Sequence, residues 1–254
     1  MALFSDGPIS DADDLQRYEN GILNVAATEG IDLGAKIMLA QQDVANDLLL
    51  FLFKRSSLRD CLLAFRRAQG VKDVVVSEPL RQWHIHKTLA LIYRDAYNNQ
   101  LNDRYQGKWT EYERLAKVSA QTYFQLGVGL VTDPVPKACA PVLSTVAGTA
   151  AGGMFYVAVT WVNASGQEGA PSNLAQSGTS AGQQLVVTTG VPPPNVTSWN
   201  VYVGTSPDGL SLQNQSAAAM SSWTMTSGPN PGAPIPMGQL PTWFIVDHRV
   251  MERG

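Results

Sequence analysis

The chain has 254 residues, of which 44% are hydrophobic and 15% charged, with a formal net charge of −3. That length exceeds one ordinary domain, the apolar fraction suffices for a core, and the charge excludes a global basic field for gripping nucleic acid. Two cysteines exclude a disulfide scaffold, the acidic start MALFSDGPISDADD lacks a secretory pattern, and Leu48–Phe53 is too short an apolar run for a bilayer, which takes about 20 residues.

Charge is unevenly placed: residues 1–133 carry 32 charged side chains and residues 134–254 carry seven. The break falls at Asp133-Pro134-Val135-Pro136, where two prolines forbid a helix. The expected organisation is a helical domain over 1–133, a linker over 134–142, a β-domain over 143–227 and a Pro/Gly-rich arm over 228–254. The fold class is α+β.

In the first part, Ser10 and Asp13 have capping-box spacing, and a helix is expected from there to Thr28, ended by Gly30. Asp32 caps the next helix, whose apolar stripe is Ile37, Ala40, Val44, Leu48 and Leu52. Val71–Val76 is β-branched and suits a strand or extended loop. Leu80 to Tyr105 reads as one long helix broken by Gly107. The following helix carries Trp109, Tyr112, Ala116, Ala120, Tyr123 and Leu126 on one face and stops at Gly127 and Gly129. Core packing is the expected role of those aromatics.

In the second part, Phe155, Val157, Val159 and Trp161 alternate with Tyr156, Ala158, Thr160 and Val162 at the period of a strand. Leu185–Thr189, Trp199–Val203 and Trp223–Thr226 are further strands, and Ser206-Pro207-Asp208-Gly209 is a type I turn. Short strands divided by turns predict a β-sandwich. Between Gly228 and Pro241 lie five prolines and three glycines, so this stretch stays extended. The apolar segment Trp243-Phe244-Ile245-Val246 beyond it either folds back or anchors in a neighbouring protein. The anchor is the preferred reading, with Trp243, Phe244, Ile245, Val246, Arg249 and Met251 as its docking residues, because a stiff spacer loses little entropy on docking.

Catalytic patterns are missing from this reading. His84 and His86 are two apart on a helix and do not face each other, so a metal site is not expected and exposed or interface positions are. Cys61 sits among apolar residues, Cys139 has no neighbouring base, and Asp11, Asp13 and Asp14 suit a helix start. There is no phosphate loop, dinucleotide fingerprint or nucleophile elbow. Glu168 and Asp208 are the only carboxylates between Val142 and Gly228, which gives little support to a glycosidase pair. Neither an enzyme nor any cofactor is expected. Lys54, Arg55, Arg59, Arg66 and Arg67 form a local basic patch, either a solvated face or a set of ring or DNA-channel contacts.

The stretch from Tyr97 to Tyr105, then Lys108-Trp109-Thr110-Glu111-Tyr112 and Gly127–Val131, resembles the last helices of head-to-tail adaptor (connector) proteins of tailed bacteriophages. Tyr156–Asn163, Gly166–Ser172 and Trp199–Pro207 are similar to the immunoglobulin-like or fibronectin-type modules of phage structural proteins. The resemblance implies a ring, commonly of twelve copies, at the neck of the virion. Its partners would be the portal protein, a tail or nozzle protein and the DNA passing through without sequence-specific contact. Assembly would take place in the host cytoplasm, with no membrane involved. A mildly acidic chain suits such a lumen, because each phosphate neutralised would hold the duplex. The alternative is a decoration or receptor- and glycan-binding module, with Trp161, Tyr202 or Trp223 stacking on sugars.

Overall fold

The computed structural model describes residues 1–55, 70–101, 103–150, 152–214, 222–246 and 250–252, with side chains for all of these except 54, 55 and 250–252. It is a mixed α+β chain with five helices and several antiparallel sheets among the described residues. The chain divides into two compact units. One comprises Gly7–Thr132 with Pro241–Gly254, and the other Met1–Asp6 with Asp133–Leu240.

The helical unit begins with α1 (Ala12–Tyr18) and α2 (Ile22–Glu29). The capping box is Asp11 with Asp14, one position later than the sequence spacing suggested. Ser10 is instead drawn inward to His84. The expected single helix is split at Glu19–Gly21, and α2 ends on Gly30 in the left-handed conformation (φ 64°). Helix α3 (Leu33–Arg55) starts with Asp32 Oδ1 accepting from the Ala35 amide at 3.0 Å, and it buries Ile37, Ala40, Val44 and Leu48.

Helix α4 (Glu78–Gln100) ends because Leu101 turns left-handed (φ 50°), not because of a glycine. Gly107, expected as a breaker, lies within α5 (Asp103–Leu126). One glycine costs a helix only about 1 kcal/mol, which a long packed face outweighs. Helix α4 is central: Trp83–His86 and Thr88–Tyr93 are all buried. Leu15, Ile22, Ile37, Ile85, Leu89, Ile92 and Tyr112 form one cluster that joins all five helices.

The unit also has a sheet that the sequence reading lacked. Strand β1 (Val128–Leu130) follows α5 directly, and residues 241–254 supply β9 (Trp243–Ile245) and β10 (Val250–Glu252) in the order β1-β9-β10. Val128 pairs with Ile245 and Leu130 with Trp243. Val74, in the predicted β-branched stretch, bridges to Leu130.

The β unit contains β2 (Val142–Ala147), β3 (Gly153–Asn163), β4 (Ala175–Thr179), β5 (Gln183–Thr188), β6 (Val196–Gly204), β7 (Ser211–Leu212) and β8 (Ser222–Thr224). They form two sheets, ordered β2-β5-β8 and β4-β3-β6-β7. Phe155, Val157, Val159 and Trp161 from β3 and Trp199, Val201 and Val203 from β6 share one buried cluster with Leu185 and Val187 from β5. The period-two pattern thus marks the face that the first sheet covers.

Two expected boundaries move. Val135 and Ala138, placed by sequence in a linker, are buried in the β core. The Asp133 carboxylate accepts from Asn163 (2.9 Å) and Asn195 (2.8 Å), and Gln239 accepts from the Val135 amide at 2.6 Å. The Pro/Gly-rich stretch is extended as expected but packed: the Leu212 amide donates to Ala233, and Ile235 lies against Tyr202 and Leu210.

Candidate functional site

The helical unit has a groove of about 310 Å³. Trp83, Lys87, Ala90, Leu91 and Arg94 contribute from one side of α4, at the three- and four-residue spacing of a helix face. Trp109, Glu113, Ala116, Lys117 and Ala120 face them from α5, and Asp47 reaches in from α3. The three alanines keep the floor low while the two tryptophans form apolar walls. Lys87 is tied to Asp43 at 3.1 Å and Lys117 to Glu113 at 3.1 Å. The volume is at the small end for ligand sites. The chemistry offered is apolar contact ringed by paired charges, without a free nucleophile beside a base.

Polar groups inside the same unit are committed to holding helices together. His84 is fully buried: Nε2 donates to the Ile37 carbonyl at 3.1 Å, so Nδ1 accepts from Ser10 Oγ at 2.9 Å. Burial pulls its pKa down to about 4, against smaller opposing effects of the Ile37 carbonyl and the Asp14 charge. His86 is buried beside Ser119 Oγ (2.8 Å), with Tyr18 edge-on to its ring, and its pKa is also lowered by burial. The expectation of exposed histidines is therefore corrected. His84 and His86 fall on different sides of α4, and both sides are interior, while Gln82, Lys87 and Arg94 keep other positions of the helix open to solvent.

Glu19 Oε2 accepts from Lys108 Nζ (2.6 Å) and the Tyr112 hydroxyl (2.8 Å). Burial works against this carboxylate, yet those two hydrogen bonds and the ammonium charge outweigh it, and its pKa lies below the ordinary value. Tyr112 in turn stacks on Tyr93 with ring centres 5.7 Å apart. The aromatic stripe of α5 does pack inward.

In the β unit, Glu168 fastens side chains of two neighbouring strands together. Its Oε1 accepts from Thr160 Oγ1, from Asn200 Nδ2 at 2.9 Å and from the Tyr202 hydroxyl at 2.7 Å. Burial raises the Tyr202 pKa, reinforced by the Glu168 hydrogen bond and charge. Sequence alone could have hinted at this, since Thr160, Asn200 and Tyr202 fall on one face of neighbouring strands. The loop carrying Glu168 gave no such signal.

The expected docking residues are differently placed. Trp243, Phe244 and Ile245 form the middle strand β9, with Ile245 buried and the other two half-buried, and Val246 is half-buried after it. The segment has a core after all, because α5 leaves β1 with an unpaired edge that it fills. Arg249 lies outside the described residues, and Met251 is described in its backbone only, within β10. Lys54 and Arg55 end α3, without described side chains, and Arg59, Arg66, Arg67, Cys61 and His248 also lie outside the described residues. Trp161 and Tyr202 are buried, which removes them from any sugar-stacking surface, whereas Trp223 is half-buried.

Among the described residues, no cluster of metal-binding side chains occurs, and no helix is long and apolar enough to cross a membrane. No protein-family model matches the chain, and no curated protein matches it.

Proposed function

We propose that this chain is a structural virion protein, a head-to-tail adaptor whose copies form a ring between portal and tail around the DNA passage. In this reading the helical unit is a bundle that builds the ring, and the β unit is an Ig-like sandwich attached to it. The observation that carries the proposal is the strand order β4-β3-β6-β7 beside a β2–β5 pair. It follows the C′-C-F-G and B–E arrangement of immunoglobulin-type folds. Strand β8 takes the place beside E where strand D lies in constant-type domains, although it comes later in the chain. The resemblance to connector helices falls on α4, α5 and β1, an antiparallel pair and its closing strand, which supports the same reading.

The physical chemistry is consistent with assembly work. Asp11, Asp14, Glu19, Asp32, Asp43, Asp95, Glu168, His84 and His86 are engaged in caps, ion pairs and ties between elements, and the groove between α4 and α5 suits a partner's side chain better than a reacting molecule. Size-exclusion chromatography with light scattering, on the protein mixed with portal, tests the proposal. A stable high-mass complex of defined stoichiometry is expected. A chain that stays free in the mixture overturns it.

A further inference from the structure

The groove between α4 and α5 carries a charge surplus of opposite sign at each end. Lys36 pairs with Asp95 and Lys87 with Asp43, so α3 runs antiparallel to α4. Asp47, one turn past Asp43, therefore lies level with Trp83. There two carboxylates, Asp43 and Asp47, stand beside the single ammonium of Lys87, and Asp47 has no hydrogen bond or ion pair among the described residues. Lys117 is already tied to Glu113. At the other end Lys36 and Arg94 share Asp95, and Arg94 reaches it only through Nε at 3.8 Å. From Trp83 to Arg94 is eleven residues, about 16 Å along the axis. The rim is open to solvent, with the Arg94 side chain 43% and that of Lys117 72% exposed.

The complement to this pattern lies on the chain itself. Asp103, Gly107, Thr110 and Arg114 are exposed and form one face of α5, opposite the buried Tyr105, Tyr112 and Tyr123. An anion and a cation again stand eleven residues apart, with only small side chains between them on that face. Asp103 has no partner among the described residues, and Arg114 spends Nε and Nη2 on Glu111, which leaves Nη1 to donate. Gly107 costs the helix about 1 kcal/mol. Nothing in the chain lies within 4 Å of where its Cβ would be, so packing within one copy does not call for glycine there. Close approach by another copy does. Lying on the far side of α5 from the core, this face cannot turn into the groove of its own copy.

We propose that the groove of one copy receives the outer face of α5 from the next, Asp103 meeting Arg94 and Arg114 meeting Asp47. The entering helix then runs antiparallel to α4. Groove and face are different surfaces, so the contact is heterologous and repeats around a ring when the rotation closes. The inference rests on the ring reading above and names the lateral surfaces of that ring. Three helical turns fall short of the roughly 800 Å² per partner of a standard interface, so one contact is weak and the closed ring holds by repetition.

Titrating the full chain into portal protein, with the high-mass complex followed by light scattering, tests this. Arg94→Glu and Asp103→Lys should each raise the chain concentration needed for the complex at least about tenfold, and the double variant should recover most of that loss. Gly107→Arg should raise the thermal midpoint of the free chain, through its helix propensity, while weakening assembly. In a Cys61→Ser/Cys139→Ser background, a short bismaleimide should link Arg94→Cys/Asp103→Cys chains into a ladder, but a mixture of the two single variants only into dimers. A complex that forms normally with all of the charge and glycine variants overturns the contact and leaves the ring standing. Links from Asp103→Cys to itself, or from Arg94→Cys to portal, give the groove another occupant and overturn it too. A wild-type chain that never joins the portal removes ring and contact together.

Discussion

Gly127 passes so close to Val246 that a Cβ on the glycine would lie 2.8 Å from the valine Cγ1, and its φ is +105°. Backbone conformation and close packing therefore both demand glycine at the turn from α5 into β1. Gly127→Ala is expected to destabilise the chain by about 1–3 kcal/mol. Urea denaturation followed by circular dichroism measures this. Gly21→Ala, at a site with nothing within 4 Å and no positive φ, serves as the control with little change.

His84 makes stability depend on pH. Its folded pKa of about 4 lies below the unfolded value of 6.5, so the unfolded chain binds the extra proton between those limits. The contribution is complete above about pH 6.5 and is lost as pH falls towards 4, for roughly 3 kcal/mol in all. His86 acts in the same direction. Denaturation midpoints measured from pH 4 to 7.5 should rise with pH, and His84→Gln should flatten the rise. An equally steep profile in that variant counts against the assignment.

Glu168→Ala strips a shared acceptor from Thr160 and Tyr202, both buried, and from Asn200. A loss on the order of 2 kcal/mol is expected, since buried donors left unpaired carry the desolvation cost. Glu168→Gln retains an amide oxygen and should lose less. Thermal unfolding of the three proteins gives the order.

Trp161→Ala removes one of the two buried tryptophans of the cluster shared by the two β sheets and should cost about 3–5 kcal/mol. Trp223→Ala, at a half-buried site, should cost less. Chemical denaturation distinguishes them. A near-neutral Trp161→Ala would place that ring at the surface and reopen sugar stacking.

Sequence reading reached the elements whose physics is local. The α3 stripe, the Asp32 cap and the alternation through β3 each follow from spacing along one segment. It missed what depends on a distant partner. Leu101 closes α4 without any glycine to announce it, and Gly107 is absorbed by a helix whose packing outweighs its propensity. Trp243–Ile245 looked like a free anchor because the edge it fills, β1, is only three residues long and follows a helix directly. Val135 and Ala138 sat between prolines and read as a linker, although the β core claims them. For the candidate site, only the α5 face was visible as a stripe; α4 was read as a helix without a face being assigned. The histidines were misplaced because nothing in the spacing along α4 shows that Ser10, Ile37 and Ser119, all from other segments, supply their partners.

The pairing of Val128 with Ile245 carries a consequence for biosynthesis. As the nascent polypeptide leaves the ribosome, α1 through α5 emerge early and β1 can bond residues 73–75 on one side, but its other edge has no strand to pair with until Trp243–Ile245 have been translated. The first-made unit is thus the last to be completed, and its exposed edge must wait while the whole β unit folds. A premature stop codon shortly before position 241 would leave the later-made unit intact and cripple the earlier one.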